Sequence, residues 1–161
     1  MSEREYLINQ YQVLPKLLGW HVADFSDADL LVRPGDHGNH AAWHLGHLTA
    51  ANSSLINMVT PGAVPVVEKP FAERHSKPGS TLNEGFETKD ALLARYAAIN
   101  DAAIAWARSL TADQMAVKTP ERLQGFAPTV GDLAYVLPTH VHMHVGQIQA
   151  LRRKLGKPVL F

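Results

Sequence analysis

The sequence predicts an all-α fold, a four-helix bundle with a long connection between its second and third helices. Three observations carry this. Four segments place apolar residues at three- and four-residue spacing, no segment alternates convincingly as a strand, and the turn-forming residues gather mainly between those segments. At 161 residues the chain is read as one domain over 1–161, long enough to bury roughly two-thirds of its unfolded surface.

The first helix is expected over 4–20, where Tyr6, Leu7, Tyr11, Leu14, Leu17, Leu18 and Trp20 keep close to one face despite Pro15. A turn-rich stretch, FSDADLLVRPGDHGN, follows with a short helical piece at 26–31. The second helix should open near Asn39 as N-cap and run to about Val59, where TPG at 60–62 stops it. Residues 61–87 are rich in proline and glycine and lack a sustained period, so they read as a long loop. Thr88 opens the third helix, marked by Leu92, Leu93, Tyr96, Ile99, Ala103, Trp106 and Leu110. A second loop covers 111–128. The fourth helix starts at Thr129, with Asp132 completing a capping arrangement, and ends before Gly156 and Pro158. Pro138 should bend or loosen it.

Composition narrows the function. Lys+Arg and Asp+Glu balance at 15 each, so no global charge points to nucleic acid or an anionic membrane. Without cysteine there are no disulfides, thiolate nucleophiles or cysteine metal sites. The charged opening MSEREYLINQ lacks the apolar core of a signal peptide, and no run approaches 18 apolar residues, so a cytoplasmic protein without a membrane span is expected. Nine histidines are the one compositional excess.

Three of them alternate in THVHMHVGQ, 139–147. Strand geometry would leave Leu133, Val136, Leu137, Ile148, Leu151 and Leu155 without a common face, so the segment is helical. On a helix His140 and His144 stack one turn apart while His142 points away. An i,i+4 histidine pair grips a divalent metal well, and a third ligand must come from another helix. The second helix supplies His40, His44 and His47 at i, i+4, i+7 spacing within NHAAWHLGHLT. Asp and Glu are absent from 37–67, and the fourth helix carries only Asp132. The economical site is therefore three neutral imidazoles, His47, His140 and His144, although spacing alone does not rank His47 above the His40–His44 pair. His142 is read as a packing or supporting residue. His21, His37 and His75 are read as loop or surface residues, with His75 able to swing over the site.

Two runs carry a family resemblance. FSDADLLVRPGDHGNHAAWHLGHLTAANSSLI resembles the helix-2 region of the DinB/YfiT-like superfamily, where an RP turn and an Asn precede a W-x-x-G-H-L stretch. HVHMHVGQIQALRRKLGKP is similar to that family's H-x-x-x-H-x-G-Q-I helix. The resemblance implies a bundle whose metal ligands fall here on His47, His140 and His144, often in a homodimer. It also implies, for some members, reactions that use low-molecular-weight thiols. The chain departs from the pattern at His40, where the family has a small polar residue.

Zinc or nickel is the expected divalent ion, with iron or manganese as alternatives. A small-molecule substrate is expected, including a low-molecular-weight thiol. His44 is the candidate base, and Gln147, one turn past His144, a candidate for orienting substrate. With no carboxylate beside the ligands, thiol-dependent transfer is favoured over metal-dependent hydrolysis. A non-catalytic, metal-stabilised binding module is the alternative from another class. Three imidazoles of ordinary pKa should release the ion as pH falls from about 7.5 to about 5.

Overall fold

The computed structural model describes residues 1–36, 38–76 and 81–160. Helix α1 (Glu3–Val22) opens on a capping box in which Ser2 and Glu5 satisfy each other's backbone N–H. A single 3-10 turn spans Asp29–Leu31, within the short helical piece expected there. Helix α2 (Ala41–Val59) follows. Its N-cap is His40 rather than Asn39: the His40 ring accepts from the Trp43 N–H at 3.0 Å. The 61–87 connection is not wholly irregular, since it contains α3 (Lys69–Arg74), a single turn and a half with Pro70 in its first turn. Such an element is too short to show a period.

Helix α4 (Lys89–Ser109) is capped by Thr88. The 111–128 connection likewise holds two short helices, α5 (Ala112–Ala116) and α6 (Glu121–Gln124). Helix α7 (Val130–Lys154) opens on the Thr129–Asp132 capping box. It closes at Gly156, whose φ of 66° a residue with a Cβ rarely adopts. Among the described residues no strand forms; one isolated antiparallel bridge joins Lys118 to Thr129. None of the helices is long and apolar enough to cross a membrane.

The four long helices form the bundle. Helix α1 packs against α4 and α7, and α2 packs against the same two. The consecutive pairs α1–α2 and α4–α7 therefore lie across the diagonals while α2 and α4 are adjacent, and α2 and α7, far apart in the chain, become neighbours. Tyr11, Leu14 and Leu18 of α1 meet Leu45 and Leu48 of α2, Leu92 and Tyr96 of α4, and Leu133, Leu137 and Ile148 of α7 in one buried core. Each fully buried leucine contributes roughly 1.5–3 kcal/mol.

Both long helices with an interior proline remain continuous. A proline lacks the N–H that would bond the carbonyl four residues back. For Pro138 that carbonyl is Ala134, and the buried Tyr11 hydroxyl donates to it at 2.8 Å. For Pro15 it is Tyr11 itself, whose carbonyl accepts from the Asn100 side chain at 3.0 Å. Tyr11 thus ties α1, α4 and α7 together where the α1 and α7 ladders are interrupted.

His21 is a correction to the surface reading. It lies in the last turn of α1, fully buried, with Nδ1 bonded to the Leu17 carbonyl at 2.8 Å. Its backbone carbonyl accepts from Arg152, a buried α7 guanidinium that also pairs with Asp24 and the Pro158 carbonyl.

Candidate metal centre

Adjacency of α2 and α7 brings His47 of one against His140 and His144 of the other. One ring nitrogen from each lies within 4.8 Å of the others, and the Nε2 atoms of His140 and His144 are 3.0 Å apart. Two bonds of about 2.05 Å at a tetrahedral angle require a nitrogen separation of about 3.3 Å. The three donors bracket that value, so they fit a divalent ion.

The opposite edges of two of these rings are held. His47 donates from Nδ1 to the His75 backbone carbonyl at 2.9 Å, which leaves Nε2 as a free lone pair. The His47 ring also stacks on Trp43, centroids 4.4 Å apart and planes 10° apart. His144 has its Nδ1 2.8 Å from Nδ1 of His44. The His44 ring also bonds the Asn39 backbone carbonyl. Because a neutral ring has one proton, donation to Asn39 leaves His44 accepting from His144, and His144 Nε2 is freed for the ion. Gln147, exposed, borders the site.

The remaining histidines separate. His40 does not join the cluster, because an N-cap lies outside the helical stripe and turns its ring back to the backbone. Its Nε2 bonds the Leu82 carbonyl at 3.2 Å, which Arg33 also grips. His142 faces away from the site, exposed, with Nδ1 on the Pro138 carbonyl. His37 lies outside the described residues. His75 is not a surface residue: it caps the C-terminus of α3, is 1 % exposed, and lies flat against Gly46. A Cβ on Gly46 would stand 2.1 Å from His75 Cδ2. The supporting role of the His75 carbonyl was not foreseen from sequence. Its signal was Gly46, a glycine inside an apolar helical pattern, which marks close approach of another group.

Burial keeps the cluster neutral. Loss of solvation pushes the His140 and His44 pKa down to about 4 and that of His144 to about 3, with neighbouring histidines adding to the effect. His47 is lowered by the same desolvation, against its bond to His75. Neutral imidazoles are the form that binds metal.

Two openings meet at the triad. On one side lies a cavity of about 680 Å³ bordered by His47 and His140 and walled largely by apolar side chains of α2, α3 and α7. On the other lies a more polar cleft of about 430 Å³ bordered by Asn39, His44, His47, His140, His144 and Gln147.

A family model described as the DinB superfamily matches residues 10–148. Among solved structures, YfiT from Bacillus subtilis superposes with a TM-score of 0.67 at 16% identity, covering 98% of this chain and 91% of that one. That protein is described as a probable metal-dependent hydrolase with an unusual four-helix bundle topology. No curated protein matches the chain.

Proposed function

We propose that this chain, which belongs to the DinB superfamily, is a metal-dependent enzyme that transfers a group to a low-molecular-weight thiol. The observation that carries the reading is the convergence of His47, His140 and His144 with no carboxylate, among the described residues, lining either opening beside them. A divalent ion held by these three imidazoles supplies Lewis acidity, lowering the pKa of a water or thiol donor. His44, the nearest additional imidazole, is engaged by His144 and Asn39. His40 is engaged by Trp43 and Leu82. Neither offers a lone pair to a substrate proton, so His44 acts as a positioning residue for His144. A thiol, already close to ionisation near neutral pH, depends less on a base than water does. Gln147, at the edge of the polar cleft, orients the incoming nucleophile.

A second reading, hydrolysis, is favoured by the description of YfiT. The two are separated by incubating zinc- or nickel-loaded protein with small thiols plus carbon electrophiles, and separately with esters and amides. Thiol-dependent consumption of the electrophile is expected. Turnover of esters or amides alone would sink the transferase reading.

A further inference from the structure

We propose that the substrate of this centre is a two-part molecule, with an uncharged apolar body in the cavity between α2, α3 and α7 and a polar, metal-seeking head at His47 and His140. The proposal rests on reading the triad as a metal centre. Its own basis is the shape and chemistry of what adjoins the triad. The cavity of about 680 Å³ has the size of a small-molecule site. Ala51, Leu55, Ala72, Val136, Phe126 and Met143 wall it, and among the described residues no Asp, Glu, Lys or Arg does. Phe126 and Met143 are half exposed at its edge, apolar surface that is costly to leave in water and gains from a ligand.

The same chemistry sorts the two reactants. A charged or sugar-bearing thiol would lose its hydration in this cavity and recover few hydrogen bonds, since besides imidazoles only the hydroxyls of Ser54, Ser76 and Thr139 meet it there. The polar cleft on the far side of His47 and His140, with Asn39 and Gln147, accepts such a molecule. The apolar partner and the polar nucleophile therefore reach the triad from opposite sides. In the transfer, a sulfur–carbon bond forms as the bond from that carbon to its leaving group breaks. The leaving group takes the electron pair, and the thiol proton passes to solvent through the polar cleft.

The test is binding of linear hydroxamates, from acetohydroxamate to octanohydroxamate, to the full-length zinc-loaded protein by calorimetry. Affinity should rise about three- to fourfold per methylene until the cavity is filled. A chain ending in a carboxylate should lose most of that gain. Ala51→Phe, which fills the cavity, should flatten the series while leaving zinc content and acetohydroxamate affinity unchanged. Ser54→Phe, at a more exposed position, serves if Ala51→Phe does not fold. A flat series in the unsubstituted protein overturns the proposal. So does a series that Ala51→Phe leaves intact while shifting the sedimentation of the protein, which would make this face an interface between copies. Absence of zinc uptake, or of any acetohydroxamate binding at full zinc occupancy, instead brings down the metal reading beneath it.

Discussion

Gly46 shows how one absent side chain shapes the centre. The His75 ring occupies the space where a Cβ would stand, and the His75 carbonyl fixes the His47 ring. Gly46→Ala should push His75 away, costing about 1–3 kcal/mol and weakening zinc binding with it. Gly146→Ala is the control: this exposed α7 glycine has no neighbour within 4 Å, so added helix propensity should stabilise by up to about 1 kcal/mol. Paired melting curves and zinc titrations check both. Among the histidines, His47→Ala, His140→Ala and His144→Ala should each lower zinc affinity by orders of magnitude, because each removes a direct donor. His44→Ala removes only the acceptor for His144 and should cost about 10–100-fold. His142→Ala should leave metal content intact, since its ring bonds the Pro138 carbonyl on the far face. Loss of zinc in His142→Ala alone would refute the assignment.

At the level of elements, the prolines within α1 and α7 depend on partners from other helices. Tyr11→Phe deletes the donor to the Ala134 carbonyl and should destabilise by about 1–3 kcal/mol. In a Pro138→Ala background the restored N–H can bond that carbonyl, so the same substitution should cost less. A double-mutant cycle in urea measures the difference. The long helices were legible because their apolar residues repeat over many turns and Thr88, Thr129 and Gly156 mark their ends. Helices α3, α5 and α6 were not, because four to six residues are too few for periodicity. The second N-cap was misplaced by one residue because His40 uses its ring in the role that short polar side chains usually fill.

For the whole molecule, the buried histidines set the response to acid. His40, His44 and His140 are lowered to about 4 and His144 to about 3, chiefly by desolvation. The unfolded chain, with ordinary histidines near 6.5, takes up protons first. Stability of the metal-free protein should therefore be level above about pH 7.5 and fall as pH drops from about 6.5 toward 4, each of these histidines contributing up to about 3 kcal/mol. Melting temperature against pH checks this; a flat profile between pH 7 and 5 would contradict it. The same burial moves ion release toward pH 4–5, below the window that ordinary imidazoles imply. Spacing and family resemblance led to His47, His140 and His144, but they could not reveal how strongly the packed bundle desolvates these rings. Burial is a property of the assembled bundle: Trp43 stacks on His47, and Phe86 packs on His40 and on His75 beside the triad.

The bond from His47 to the His75 carbonyl makes the segment around α3 a reporter of the centre. An ion that prefers the His47 ring in this orientation also prefers that segment docked, and linkage makes the preference mutual. Zinc should slow backbone hydrogen exchange over 69–76 more than over the remote start of α1. Conversely, any contact that pries this segment from α2 should hasten the departure of the ion.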